Sequence, residues 1–178
     1  MKPEKKQYTF SGFTIYNFYS RHYNYIIMEA EFQALKNLLD DRGVQYKTFT
    51  HGRVYTSQQA ADVRGVPLKS GVKAMVIRSE KGFFLVLVPG DKRIDFNAFS
   101  DKGKATLANA EDVFRITGCE VGSVHPFGNL FGLQIFMDRS ILDNSIVNFN
   151  AGLHEVSISM SPRDMAKIIE PELGDYSK

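Results

Sequence analysis

The stretch from Gly65 to Pro89 reads GVPLKSGVKAMVIRSEKGFFLVLVP, and its pattern sets the expected fold. It holds two apolar runs, Val72–Ile77 and Phe83–Val88, which are joined by a short polar segment that ends in Gly82. Continuous apolar runs that are rich in valine and separated by a glycine-bearing turn are typical of strands covered on both faces. The stretch therefore predicts a β-hairpin that is buried on both faces.

Lys73 is the residue of this hairpin that does not fit the apolar pattern, because it lies between Val72 and Ala74. A lysine in such a position either runs its apolar stem along the surface of the core or is held there for a function. Composition alone favours the first interpretation, since lysine stems commonly cover apolar surface.

The rest of the chain mixes helices and strands without strict alternation. Apolar residues at helical spacing predict a helix over Glu29–Asp41 that ends before Gly43. Capping residues predict three further helix starts, at Thr56 or Ser57, at Asn109 or Ala110, and at Ser161-Pro162. We therefore expect one α/β domain with a mixed sheet, and a frayed C-terminal tail over Pro171–Lys178.

Residues 1–27 differ from the remainder in composition. They hold eight of the 22 aromatic residues, and they carry four basic residues and one acidic residue, a net charge of +3. The whole chain has a net charge of +2, so residues 28–178 carry −1. We predict that residues 1–27 are an extension of a domain that spans residues 28–178. The alternative is an arm that contacts RNA through charge and aromatic stacking.

Several classes of protein are not supported by the sequence. The single cysteine, Cys119, can form no internal disulfide, and the four histidines lack the spacing of a metal site. There is no nucleophile elbow, phosphate-binding loop or dinucleotide-binding turn. There is also no apolar run of the ~18 residues that a membrane helix needs. We expect a cytoplasmic protein without metal or cofactor that contacts neither membrane nor DNA; an enzyme of this kind would act by positioning and polar contacts.

Three ordered motifs carry a resemblance to a known family. They are VYTSxxAA from Val54 with GVP at Gly65 and VK at Val72, then GSVHPFG from Gly122, and NAGLH from Asn150 followed by Ser161-Pro162. In this order and spacing the chain resembles the YbaK/ProX family, the editing domains of prolyl-tRNA synthetase and their free-standing relatives. The resemblance covers roughly residues 29–170. It implies a curved, partly barrel-like mixed sheet flanked by helices.

The resemblance also implies an aminoacyl-tRNA deacylase, which hydrolyses the ester between a wrong amino acid and the 3′ end of a tRNA. It assigns catalytic roles to Lys73, Gly122 and His154. A fixed ammonium can stabilise charge that develops on the ester carbonyl, and a backbone N–H near Gly122 can serve as a second donor. Either a water molecule or the neighbouring ribose hydroxyl can be the attacking group.

The expected substrate-binding residues border the same pocket: His51, Tyr55, Thr56, Pro126, Phe127, Gly128, Asn150, Ala151 and Gly152. The Gly-x-His arrangement at His154 resembles the alanine-clearing branches, so we expect clearance of the Ala-tRNA(Pro) type. The alternatives are a deacylase for Cys-tRNA(Pro) or another small amino acid, and a non-catalytic module that binds tRNA or a synthetase. The expected partner is the acceptor end of a mischarged tRNA, with a synthetase or elongation factor as a further partner.

Overall fold

The computed structural model describes residues 7–10, 13–16, 21–54 and 56–178, with side chains from residue 24 onward. Within these residues the helices are α1 (Arg21–Asp41), α2 (Ser57–Arg64), α3 (Ala110–Thr117) and α4 (Pro162–Ile169). The strands are β1 (Gln7–Phe10), β2 (Phe13–Tyr16), β3 (Tyr46–Thr50), β4 (Val72–Ser79), β5 (Gly82–Pro89), β6 (Thr106–Leu107), β7 (Ile135–Asp138), β8 (Val147–Asn150), β9 (Val156–Met160) and β10 (Glu172–Gly174).

The predicted hairpin is confirmed. β4 and β5 pair in antiparallel register from Val72 opposite Pro89 to Ser79 opposite Gly82. The strand order β10-β7-β5-β4-β6 places β5 in the middle of a five-stranded mixed sheet, in which β7 runs parallel to β5 and β10 parallel to β7. Burial of β5 is complete from Phe84 to its last residue. β5 has paired neighbours on both edges and buried clusters on both faces, and the cover on both faces is why its sequence is apolar without alternation.

Side chains of β5 divide between two cores. Leu85 and Leu87 enter the larger cluster, which lies between the two main sheets and the helices. Phe84, Val86 and Val88 enter a smaller cluster on the opposite face of the sheet. Because each fully buried aliphatic or aromatic side chain contributes about 1.5–3 kcal/mol, the burial of β5 from both sides is a main source of stability.

A second sheet, β3-β9-β8, is antiparallel throughout. It meets the first sheet at a bridge between Gly71 and Asn148, just before β4 begins. The two sheets curve around the larger core without closing into a barrel among the described residues, which agrees with the expected partly barrel-like sheet. This junction brings the start of β4 close to the polar strand β8.

The predicted caps form as expected. Thr56 caps α2 in a reciprocal arrangement with Gln59, and Asn109 caps α3 through the backbone N–H of Asp112. Ser161 caps α4, whose first residue is proline. Each of these side chains accepts a hydrogen bond from a backbone N–H that the helix leaves unpaired.

The helix α1 is longer than the predicted one. It begins at Arg21 and runs past Met28, which is buried. The division into residues 1–27 and 28–178 falls partly outside the described residues and stays a prediction. No helix in the described part of the chain has the length and apolar character that a membrane span requires.

The prediction of a frayed C-terminal tail is wrong. β10 pairs with β7, and Tyr176 is buried against the smaller core, where its ring stacks on Phe99 at 5.2 Å between centroids. The carboxylate of Asp138 holds the tail, because it accepts hydrogen bonds from the backbone N–H of Tyr176 at 3.0 Å and from the Ser177 hydroxyl at 2.6 Å. These partners are distant in sequence, so no local pattern predicts them.

We expect Asp138→Ala to lower the free energy of unfolding by about 3 kcal/mol, since hydrogen bonds to a charged acceptor are worth ~1.5–3 kcal/mol. Asp138 is 3% exposed, so water cannot replace the lost partner. Equilibrium denaturation of the variant and the wild type measures the difference. Asp175→Ala removes a carboxylate that is 82% exposed, and we expect it to change stability by less than about 1 kcal/mol. Equal effects of the two variants would contradict this role of Asp138.

The same carboxylate predicts a pH dependence. Burial acts to raise the pKa of Asp138, but the hydrogen bonds from Ser140 and Ser177 and from backbone N–H groups lower it by more, and the net shift is downward. The contribution is therefore complete above the unfolded-state pKa of ~3.9 and is lost as pH falls through the lower folded-state pKa. The difference in stability between the wild type and Asp138→Asn should shrink in that acidic range.

Gly90, which follows β5, generates a further prediction. Its backbone N–H donates to the carbonyl of Gly71 at 2.7 Å, and a Cβ at this position would lie 2.4 Å from the carbonyl oxygen of Leu68. We expect Gly90→Ala to cost about 1–3 kcal/mol of stability, because backbone must move to relieve the clash. The matched control is Gly52→Ala, whose Cβ would meet no heavy atom within 4 Å. Denaturation curves that give both variants the same stability would refute the close approach.

Candidate active site

A cavity of about 300 Å³ lies along the first half of β4. β6 covers only the far end of that strand, at Ile77 and Arg78. The Val76 carbonyl accepts from the backbone N–H of Ala108 at 2.9 Å, so among the described residues the uncovered edge runs from Val72 to Met75. These four residues and Val76 line the cavity. Its volume is at the lower end of the range found for small-molecule pockets.

Four of the residues predicted from the sequence come together here: Lys73, Gly122, Thr56 and Asn150 all line the cavity. They come from β4, from the loop after α3, from the cap of α2 and from the end of β8. These elements are far apart in the sequence, so the cavity is a product of the way the two sheets meet.

Lys73 is partly buried, and its Nζ donates a hydrogen bond to the carbonyl of Lys92. Burial lowers the pKa of Lys73, the nearby carboxylate of Asp91 acts to raise it, and Arg93 acts to lower it; the net shift is downward. An ammonium has three N–H donors, so two remain for other acceptors. Lys73 alternates with Val72 and Ala74, so its side chain leaves β4 on the face opposite to the one from which those two pack into the larger core. The residue lines the cavity at the open edge of the strand.

Gly122 is exposed and has a φ of +92°, a conformation that favours glycine over residues with a Cβ. Its carbonyl accepts a hydrogen bond from the Asn150 amide at 2.6 Å. This bond links the loop before Pro126 to the end of β8. The side chain of Asn150 therefore fixes the orientation of the peptide between Gly122 and Ser123, which is adjacent to the backbone N–H of Gly122.

Sequence reasoning missed Arg64, which also lines the cavity. It lies in the last turn of α2, where a basic residue is ordinarily a surface partner of the helix dipole. Its guanidinium instead donates to the side-chain carbonyl of Asn150 and, from Nε, to the Ser157 hydroxyl at 2.8 Å. Burial lowers the pKa of Arg64 to about 10. No sequence signal separates this arginine from a surface one.

His51 joins the same network without lining the cavity. Its Nδ1 lies 2.8 Å from the Gly52 carbonyl, which can only accept, so Nδ1 carries the proton. Its Nε2 then accepts from the Ser157 hydroxyl at 2.6 Å, and that hydroxyl accepts from Arg64. A continuous chain of hydrogen bonds thus runs from the end of β3 to the arginine in the cavity.

His154 is 2% exposed and lies outside the set of residues that line the cavity. Its Nδ1 lies 3.2 Å from the carbonyl of Val54, and its Nε2 lies 3.2 Å from the carboxylate of Glu120. Both ring nitrogens face oxygen acceptors, so the imidazole connects the segment before Thr56 with the loop that carries Gly122. The catalytic role assigned to His154 stays a prediction.

The other predicted pocket residues that the structure describes do not line the cavity, and their roles also remain predictions. Phe127 and Ala151 are completely buried in the larger core. Pro126 is buried. Gly128 packs against the side chain of Ile135, which would lie only 2.8 Å from a Cβ at position 128. Gly152 has a φ of +92° and donates to the carbonyl of Ser123. Tyr55 lies outside the described residues.

The cavity has walls of two kinds. The apolar wall consists of Val72, Ala74, Val76, Val113, Val124 and Phe149, and the polar wall consists of Thr56, Ser57, Arg64, Asn148 and Asn150. Among the residues that the structure describes, no three His, Cys, Asp or Glu side chains are grouped as a metal would require. The arrangement can bind a small ligand that has an apolar part and several polar groups.

Comparisons with known proteins identify relatives of this chain. The chain is 26% identical over 154 residues to the multifunctional Ser/Thr-tRNA deacylase ProXp-y of Escherichia coli K12, covering 82% of this chain and 92% of that protein. It is 25% identical over 152 residues to the prolyl-tRNA editing protein ProX of Acetoanaerobium sticklandii, covering 80% and 92%. It is also 32% identical over 123 residues to the proline–tRNA ligase of Caldicellulosiruptor saccharolyticus, covering 66% of this chain and 21% of the ligase.

A solved structure and a family model extend the comparison. The crystal structure of the hypothetical protein APE2540 superposes with a TM-score of 0.75 at 26% identity, covering 81% of this chain and 99% of that one. Residues 51–168 match the family model described as the aminoacyl-tRNA editing domain. This match covers all three motifs, and the chain belongs to the family of aminoacyl-tRNA editing domains.

Proposed function

We propose that this editing domain acts in trans as a hydrolase that removes a small, wrongly attached amino acid from the acceptor end of a tRNA. The observation that carries the proposal is the cavity at the open edge of β4, which brings Lys73 and Gly122 together with a polar wall. The relatives named as a Ser/Thr-tRNA deacylase and as a prolyl-tRNA editing protein each match this chain over 92% of their own length, which supports the same reaction here.

The chemistry follows from the groups that line the cavity. As the ester is attacked, negative charge develops on its carbonyl oxygen, and preorganised donors stabilise that charge in a site from which water is partly excluded. Lys73 supplies an ammonium with free N–H donors, and the backbone at Gly122 supplies an amide that no side chain obstructs. Asn150 holds the peptide at Gly122 in place.

His154 acts in this proposal as a positioning residue. It ties the carbonyl of Val54 to the loop that precedes Gly122 through Glu120, so it sets the distance between the cap of α2 and that loop. The attacking group is a water molecule or the ribose hydroxyl beside the ester, since both can reach a carbonyl held against β4.

The amino acid is small, and we place serine or threonine first. The apolar wall accepts a methyl group, and the polar wall offers the hydroxyls of Thr56 and Ser57 to a hydroxyl of the substrate. ProXp-y, which is named for serine and threonine, supports this assignment. Alanine on tRNA(Pro), which the resemblance at His154 favours, is the second candidate, because an apolar wall binds its methyl group as well. A prolyl-tRNA synthetase or an elongation factor is the expected protein partner.

We expect Lys73→Ala to lower kcat/KM for deacylation by about 100-fold or more, the loss that follows removal of one preorganised donor. Hydrolysis of Ser-, Thr- and Ala-tRNA by the purified protein provides the measurement. The matched control is Lys69→Ala, which removes an exposed lysine in the turn before β4 that does not line the cavity. Wild-type rates in Lys73→Ala on every substrate would eliminate the role of this ammonium.

The choice of amino acid has its own test. We expect the wild type to clear Ser- or Thr-tRNA faster than Ala-tRNA(Pro), because a site that hydrogen-bonds a substrate hydroxyl strongly disfavours an analogue without it. Thr56→Val removes one hydroxyl from the wall, so it should reduce the ratio of the serine to the alanine rate. A faster rate on Ala-tRNA(Pro) than on the hydroxyl amino acids would favour the second candidate. No turnover of any charged tRNA would overturn the proposed function.

A further inference from the structure

The guanidinium of Arg64 has unused binding capacity in the cavity. Arginine carries five N–H donors, and two of them bond to Ser157 and Asn150. Within the described part of the chain the remaining three have no partner, so they can bind a ligand. The two engaged donors fix the plane of the guanidinium, so these three are held in a defined orientation beside the cavity.

The charge of this guanidinium also lacks a counter-ion. Its two partners are neutral oxygens, and burial is the cause of its lowered pKa, with no carboxylate of the described residues acting to raise it. A partly buried charge without a partner is unfavourable, as the lowered pKa of Arg64 indicates. An anionic ligand in the cavity would supply the missing counter-ion to Arg64.

We propose that Arg64 binds a phosphate of the tRNA acceptor end, the one that links the last two nucleotides. This inference rests on the proposed function. The loaded end of a tRNA offers a cationic α-amino group, a neutral ester, ribose hydroxyls, a base and phosphates, and phosphate is its anionic group. Arginine suits phosphate, because its planar fork donates two parallel hydrogen bonds.

The position of Arg64 gives this contact a role in placing the ester. Asn150 bonds both to Arg64 and to the carbonyl of Gly122. A phosphate held by the guanidinium would therefore be fixed relative to the loop that faces the reacting carbonyl. Positioning of this kind contributes to rate, since small displacements of a substrate reduce it strongly.

Binding of two small probes tests the proposal without catalysis. Adenosine and adenosine 5′-monophosphate differ by the phosphate, and calorimetry or NMR titration gives both affinities. We expect the wild type to bind the monophosphate roughly tenfold more tightly, the effect of a charge-assisted hydrogen bond. In Arg64→Gln the two affinities should become nearly equal, and Arg64→Lys should keep part of the preference. Raising the salt concentration should reduce the preference in the wild type.

A control variant outside the cavity tests whether the effect is specific to Arg64. Arg163→Gln makes the same charge change at an exposed residue of α4 outside the cavity and should leave the preference intact. If Arg64→Gln weakens the binding of both probes equally, or leaves the preference for the monophosphate unchanged, the arginine only supports Asn150 and the proposal is wrong. Absence of measurable monophosphate binding by the wild type would overturn it as well.

A kinetic version separates this proposal from the proposed function. Aminoacyl-adenosine and its 5′-phosphate serve as minimal substrates, and Arg64→Gln should lower kcat/KM for the phosphorylated one selectively. If the wild type hydrolyses both substrates and Arg64→Gln lowers kcat/KM equally for both, the deacylase function is supported and the phosphate contact is wrong. Phosphate-dependent binding without any hydrolysis would support the phosphate contact and contradict the deacylase function.

Discussion

The antiparallel pairing of β4 with β5 is the constraint on which the rest of the structure depends. β5 is buried from both sides, so it must lie in the middle of the sheet, and β4 must lie beside it. β6 is only two residues long and covers the far end of β4. No described strand pairs with the near end of β4, and the cavity forms there. An unpaired strand edge usually needs protection from other chains; here the second sheet and α2 enclose it, so the edge lines a pocket rather than the surface.

The polar wall of this pocket is built as one hydrogen-bonded network. It begins at the carbonyl of Gly52, passes through His51, Ser157, Arg64 and Asn150, and ends at the carbonyl of Gly122. His51, Ser157 and Asn150 each give one bond and receive one, and Arg64 donates two of its N–H groups to the network. Buried polar groups are favourable under that condition and costly without it. The network therefore holds the helix α2, the strands β8 and β9 and the loop at Gly122 in one relative arrangement, which is what a site that works by positioning requires.

Much of the fold was predictable from local pattern. The double apolar run gave the central hairpin, and Thr56, Asn109 and Ser161 marked helix starts because capping acts within three or four residues. The tail was mispredicted for the opposite reason, since its order comes from Asp138 and from a parallel strand far away in the sequence. Among the candidate site residues, Lys73 stood out as a charge in an apolar run. Arg64 did not, because at the end of an exposed-looking helix an arginine is ordinary.

The amino-acid sequence by itself determined the central hairpin and the starts of three helices, that β5 is covered on both faces, and that three motifs of an editing domain occur in the expected order. Periodicity, capping and motif spacing are properties of neighbouring residues, so they can be read without coordinates. The tertiary structure alone decided that Thr56, Arg64, Lys73, Gly122 and Asn150 meet around one cavity. It also decided that His154 and Phe127 are buried outside that cavity. Which side chains meet depends on how two sheets join at Gly71 and Asn148, a contact between residues that are far apart along the chain.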